Sequence, residues 1–310
     1  MQYTIVDGYT DEPSGLGVPP YLGVYPRYIA GNILRNDPDA HINYLTIDDL
    51  RAHQRGLTRG KAEALKNATK TDTWIYSITE PDTALVLSET DVLVCIVGVQ
   101  TPGKYLSAHP ATIHEMVKLT TEIDAKKIMT GPAISEFGTQ ISGGRTSERI
   151  EIPQDYELME EDWYDTYELI DRIAPKGALV ASDFPKPAIA EIEISRGCFR
   201  SRNCSFCTEP LADCLAFRDQ EAIAEEIHAL YTQGLRRFRL GRTTCFYSYK
   251  NSSPAEIEKL FRLIWERCPD IEVLHIDNVN PAKVLGAQGE KITRLIVKYC
   301  TEGNIAAFGC

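Results

Sequence analysis

The chain has 310 residues, 43% of them hydrophobic and 25% charged, a length and composition suited to roughly two soluble domains. A net charge of −11 argues against non-specific nucleic-acid binding, which needs a basic face. The longest apolar run, Val92–Val99, falls far short of the roughly 20 residues that cross a bilayer, and the opening MQYTIVDGYTDEP has no signal-peptide character, so a cytoplasmic location is expected.

In chain order, Tyr3–Val6 predicts a short strand ending at Asp7-Gly8. A Gly/Pro-rich loop follows over Pro13–Pro20, then a helix from about Tyr21 to Leu34. His41–Thr46 and Asp91–Val97 predict strands, Lys61–Lys70 a solvated helix face or loop, and Ala111–Ile123 a helix. Lys127–Thr130 predicts a fourth strand running into Gly131-Pro132. Strands alternating with helices predict an α/β fold over residues 1–145, a doubly wound, Rossmann-like parallel sheet. Its ligand crevice would lie beyond the carboxyl ends of the strands. Those ends carry Asp7-Gly8, Gly98-Val99-Gln100 and Thr130-Gly131-Pro132, each of which also reads as a simple strand-ending turn. Gly143-Gly144-Arg145 reads as a hinge, or as a stretch able to approach a phosphate.

Residues 146–187 are acidic and aromatic, and predict a linker built on a helix over Tyr156–Ile173. From Ala188 the rhythm restarts. Strands are predicted at Ala190–Ser195, Arg236–Leu240, Ile271–Ile276 and Ile305–Phe308, and helices at Gln220–Gln233, Pro254–Arg267 and Gly289–Cys300. Four such strands predict a partial (β/α) barrel over residues 188–310. A barrel stopping at its fourth strand would leave an edge exposed, so the chain is expected to be an N-terminal fragment of a longer protein.

In a reducing cytoplasm clustered cysteines bind metal more readily than they form disulfides. Cys95, Cys245, Cys268, Cys300 and Cys310 are scattered and read, for the most part, as small buried hydrophobes. Cys198, Cys204 and Cys207 instead sit together in EIEISRGCFRSRNCSFCTEP, immediately after a predicted strand. Thiolates suit iron–sulfur clusters and zinc, and the intervening Arg200, Ser201, Arg202 and Asn203 are polar and turn-like. Three ligands leave one iron of a cubane open, whereas a structural zinc site wants four. Cys214 is the nearby candidate for a fourth.

This segment resembles the cluster loop of the radical S-adenosylmethionine (SAM) superfamily, C-x3-C-x2-C after the first barrel strand, with an aromatic residue before the third cysteine. Phe206 fills the aromatic place; the first gap is five residues instead of three, as in parts of the superfamily. The resemblance implies a [4Fe–4S] cluster on Cys198, Cys204 and Cys207 with SAM on the open iron. Reduction would yield methionine and a 5′-deoxyadenosyl radical that abstracts hydrogen from a substrate. It also implies that Phe206 borders the cofactor and that Gly241-Arg242-Thr243, ending the second strand, meets the SAM amino group. Gly241 reads equally as a glycine easing a tight turn. His275, Asp277 and Asn278 at the barrel mouth would face the substrate, and a ferredoxin- or flavodoxin-like protein would donate the electron.

The N-terminal half resembles the cobalamin-binding domain of one large radical SAM class, with GVPPYLGVYPRYIAGNI (Gly17–Ile33) as its Pro-rich turn into the first helix. The lower-ligand pattern D-x-H-x-x-G is absent. Asp39-Ala40-His41 precedes the second strand and Tyr44 replaces the glycine, so His41 reads as an ordinary residue. Whether cobalamin binds, without a protein ligand, stays open at this point. Methyl transfer is the best-populated activity of that class. The alternatives are a non-catalytic metal-binding or regulatory protein with structural zinc or a closed cluster, or an inactive fragment of an enzyme.

Overall fold

A computed structural model of the chain describes residues 1–9, 21–56, 65–66, 72–73, 79–98, 110–131, 133–134, 139–140, 147–148, 151–159, 166–184, 187–200, 215–301 and 305–307. The first half contains β1 (Gln2–Asp7), β2 (Tyr21–Leu22), α1 (Tyr25–Asn36), β3 (His41–Thr46) and α2 (Ile47–Gln54). It continues with α3 (Thr83–Ser88), β4 (Val92–Ile96), α4 (Ile113–Thr120), β5 (Lys126–Thr130), β6 (Tyr156–Leu158) and α5 (Tyr167–Gly177). The second half contains β7 (Ile189–Glu193), α6 (Gln220–Thr232), β8 (Arg237–Gly241) and α7 (Pro254–Arg267). β9 (Val273–Asn278), α8 (Pro281–Val284), α9 (Ala287–Tyr299) and β10 (Ile305–Ala307) follow.

The first sheet is wholly parallel, in the order β6-β5-β4-β1-β3. The strand order reverses between β1 and β4, which places a crevice beyond their carboxyl ends. Two backbone hydrogen bonds tie this point together, Gly8 N to Ile96 O at 3.0 Å and Ala111 N to Gly8 O at 2.9 Å. The second sheet is also parallel, in the order β10-β9-β8-β7-β2. Four of its strands follow one another in sequence and space with helices between them, the wall of a (β/α) barrel. The fold is therefore the α/β arrangement expected: a doubly wound sheet followed by barrel strands.

Two local expectations are corrected. Tyr21–Leu22 is not helical but pairs with Ile189–Ala190 at the edge of the barrel wall. α1 starts only at Tyr25, with Pro26 in its first turn, where the missing N–H is not needed. Tyr156–Leu158 is not the start of a helix but the edge strand of the first sheet, opposite Lys127–Met129. The helix in that region is Tyr167–Gly177.

One hydrophobic core joins the halves. Ile5, Tyr44 and Val94 of the first sheet belong to the same buried cluster as Ala190, Phe238 and Leu274 of the second. The closest helix contact is α1 on α5, where glycines permit it: a Cβ on Gly31 would overlap the carbonyl of Ile173, and one on Gly177 the carbonyl of Arg27. Backbone atoms cannot yield as a side-chain tip can. Gly31→Ala is therefore expected to lower the unfolding free energy in urea by about 3 kcal/mol or more, the upper end of overpacking effects.

Cys95, Cys245 and Cys268 are buried and Cys300 partly so, as small hydrophobes would be. Burial pushes the thiols of Cys95 and Cys300 up to about 12 and that of Cys268 to about 11, which keeps them unreactive. Cys310 lies outside the described residues. No helix among the described residues is long and apolar enough to cross a membrane.

Candidate cofactor site

Alternation along the barrel strands sends one set of side chains to the helices and the other to the inner face. Ala190, Ile192, Phe238, Leu240, Leu274 and Ile276 are buried in the core. The alternate set is charged: Glu191, Glu193, Arg239 and Asp277 are all buried, with His275 half-buried. Barrel interiors are ordinarily filled by branched apolar side chains; this wall instead pairs buried charges across its strands. Arg239 Nη2 donates to Glu191 Oε1 at 2.9 Å and lies 3.5 Å from Asp277 Oδ2, linking three strands.

The same Glu191 Oε1 accepts the backbone N–H of Arg242 at 3.1 Å. Gly241 makes room for that carboxylate oxygen, because a Cβ there would overlap it unless the Glu191 side chain moved. The unusual backbone belongs to its neighbour, Arg242, at φ 43°. The Arg242 guanidinium stacks 5.3 Å above the Tyr25 ring of α1.

Cys198 follows β7 after Gly197, whose φ of 80° takes the chain out of the strand, and it is half-buried. Cys204, Phe206, Cys207 and Cys214 lie outside the described residues. The loop leaves and returns through a short antiparallel ribbon, Ser195 opposite Phe217 and Arg196 opposite Ala216. This stem is tied to the β8 end: Ser195 Oγ and Thr243 Oγ1 are 2.6 Å apart, and Thr244 Oγ1 donates to Gly197 O at 3.2 Å. Asn278 Nδ2 donates to Thr243 O at 3.2 Å, bringing in the end of β9. Lys283 caps the ring of Phe199 at 4.7 Å. One rim thus gathers Cys198, Gly241-Arg242-Thr243, Asp277 and Asn278.

Beneath the rim lies a buried ion network that the sequence reading did not anticipate. Arg27 of α1, Arg218 just before α6, and Glu226 of α6 are wholly buried. Arg27 donates to Glu226 at 2.8 Å and Arg218 to the other oxygen of Glu226 at 2.6 Å. Arg218 also bonds Asp171 at 2.7 Å and the Glu193 carbonyl at 3.0 Å. Burial works against the charge of Glu226, but Arg218 and Arg27 outweigh it and hold its carboxyl below the usual range. Glu193 accepts from Arg196 at 2.5 Å, Tyr167 at 3.0 Å and Tyr28 at 3.2 Å. Its carboxyl is likewise held down, by Arg196 first and then Arg242, against the opposing effect of burial. The available signal was a charge on the buried face of an otherwise apolar helix; its partner, 199 positions away, is invisible to periodicity.

At the first-sheet crevice, Asp7 accepts Tyr44 Oη and Tyr9 N, both at 2.8 Å. Tyr9 Oη donates to Asp48 at 2.9 Å, and Arg51 bridges Asp48 to Glu115. Gly131 takes φ 106° and packs against the Val97 carbonyl, so the turn reading holds there. His41 is exposed at the amino end of β3, the edge opposite the crevice. Val99, Gln100, Pro132 and Gly143-Gly144-Arg145 lie outside the described residues.

Asp49 caps α2, accepting Thr46 N at 2.6 Å and Thr79 N at 2.8 Å, yet burial raises its carboxyl from 3.8 to about 7. The folded state therefore holds this proton more tightly than the unfolded chain does. The contribution is complete below about pH 4 and lost as pH rises to about 7. Urea titrations are expected to show that decline, and Asp49→Asn to flatten it.

No family model matches the chain. An uncharacterized protein of Methanocaldococcus jannaschii is 36% identical over 343 residues, taking in 98% of this chain and 58% of that protein. An uncharacterized protein of Archaeoglobus fulgidus is 36% identical over 324 residues, taking in 100% of this chain and 55% of that protein. The chain thus spans little more than half the length of the curated relatives it matches. Among solved structures, the radical S-adenosylmethionine methyltransferase TsrM from Kitasatospora setae, with cobalamin and a [4Fe–4S] cluster bound, superposes with a TM-score of 0.50. The match covers 96% of this chain and 59% of that one at 15% identity. At that identity the likeness is one of fold: the chain shares the α/β architecture of TsrM.

Proposed function

We propose that this chain is the cofactor-binding part of a radical SAM enzyme, holding a [4Fe–4S] cluster on Cys198, Cys204 and Cys207. The observation that carries the reading is the rim at the carboxyl ends of β7, β8 and β9. There Ser195 and Gly197, which lead into the three-cysteine segment, are hydrogen-bonded to Thr243 and Thr244 beside the Gly241-Arg242-Thr243 turn, above a charged inner wall. The donor set fits the group: three thiols within one ten-residue segment, with Cys198 reduced and half-buried. When bound, cluster and SAM supply one-electron chemistry that releases methionine and a 5′-deoxyadenosyl radical.

The protein's own groups orient and enclose. Glu191 fixes the Arg242 amide and so the turn assigned to the SAM amino group, and Phe206 is assigned to the same cofactor. His275, Asp277 and Asn278 are assigned to the substrate side. A ferredoxin- or flavodoxin-like protein is the proposed electron donor, in the cytoplasm. The first-sheet crevice is assigned to cobalamin bound without a protein ligand to its metal, since His41 stands at the opposite edge. Methyl transfer is then the proposed outcome.

Anaerobic reconstitution with iron and sulfide, followed by SAM and dithionite, is expected to release methionine and 5′-deoxyadenosine in equal amounts. Absence of both products from a protein loaded with iron would refute the reading. Added hydroxocobalamin is expected to be retained on gel filtration; complete loss of its absorbance from the protein peak would remove cobalamin from the proposal.

A further inference from the structure

We propose that Glu193 is a positioning residue that clamps both ends of the cysteine loop. One end leaves through Arg196, two residues before Cys198; the other returns through Ala216, Phe217 and Arg218. Glu193 holds both. Its carboxylate accepts Arg196 Nε at 2.5 Å, and its backbone carbonyl accepts Arg218 Nη1 at 3.0 Å. The adjacent Ile194 carbonyl accepts Arg218 N at 3.0 Å, and Ile194 N in turn donates to Gly241 O at 3.2 Å. The stem and the β8 turn are therefore hung from two adjacent residues, Glu193 at the end of β7 and Ile194 just after it.

The clamp is anchored from the first half of the chain. Tyr28 of α1 and Tyr167 of α5 both donate to the Glu193 carboxylate, and the Arg196 guanidinium lies 5.0 Å over the Tyr167 ring. Arg196 and Glu193 are 8% and 1% exposed, so neither charge can fall back on water if its partner is lost. Breaking such a buried pair from one side leaves an uncompensated charge, whereas removing both sides is far milder. The ends of the loop are thus fixed, as a tethered three-thiolate centre needs, and tied to α1, which also packs against β1, and to α5.

This inference rests on the assignment of the cluster to that loop, and the test separates the two. Hydrogen exchange is measured on the metal-free chain at Ser195–Gly197 and Ala216–Phe217, and iron loss to a chelator on the reconstituted chain. In Glu193→Gln, stem exchange is expected to rise about tenfold or more while β8 and β9 amides exchange as in the parent. Iron loss is expected to accelerate similarly. Adding Arg196→Gln is expected to leave both raised to about the same level, because the tie is absent whether one partner or both are removed. Unchanged stem exchange in Glu193→Gln would overturn the clamp whether or not a cluster assembles. A parent that takes up no cluster would overturn the cofactor assignment and leave the exchange comparison standing. Should Glu193→Gln fail to fold, Tyr167→Phe, which removes one hydroxyl from the same carboxylate, is read the same way with a smaller rise expected.

Discussion

Replacing Cys198, Cys204 or Cys207 singly with alanine is expected to abolish the iron–sulfur absorbance of the reconstituted chain, while Cys214→Ala leaves it intact. With three thiolates on one cubane no spare ligand exists, and two do not hold it. A structural zinc site or closed cluster behaves differently: there Cys214 would be a ligand, and its loss would release metal as the others do. Iron and sulfide content, measured side by side for the four variants, decides between them. Retention of a full cluster in any of the first three would remove that cysteine from the ligand set.

The second large effect is expected far from the cysteines in sequence. Glu226→Ala leaves Arg27 and Arg218 buried with the carboxylate they share removed. Breaking a buried pair from one side typically costs about 3–5 kcal/mol, a large part of the roughly 5–15 kcal/mol that holds a domain folded. Because the Glu226 carboxyl is depressed in the folded state, its contribution is present above the unfolded value of 4.5 and lost as pH falls through the folded one. Glu226→Ala is therefore expected to unfold at markedly lower urea at neutral pH, and to show less further loss on acidification than the parent. A variant as stable as the parent at pH 7 would contradict the network.

Much of the architecture was legible because its signals are local. Pro254–Arg267 is a helix at the bounds its apolar spacing and leading proline predict, and β4 and β5 emerge from short apolar runs as expected. The misplaced elements are those made by tertiary pairing. Tyr21–Leu22 and Tyr156–Leu158 are two and three residues long, too short for a period to register, and become strands only because a neighbouring edge accepts them. The alternation of Glu191 and Glu193 with Ile192 and Ile194 announced a strand but not that its acidic face is buried. That required Arg239, Arg196, Tyr28 and Tyr167, none of them near in sequence except Arg196. The role of Gly241 was half-visible: the glycine stood out, but the oxygen it makes room for belongs to another strand. Cys198 and the Gly241-Arg242-Thr243 turn, both marked out by one resemblance, follow the ends of neighbouring strands.

The most direct test of the open-iron assignment is electron paramagnetic resonance of the anaerobically reconstituted, dithionite-reduced chain, recorded with and without SAM. A [4Fe–4S] signal whose g values shift when SAM is added is the expected result. A cluster signal indifferent to SAM, or zinc in place of iron, would contradict it.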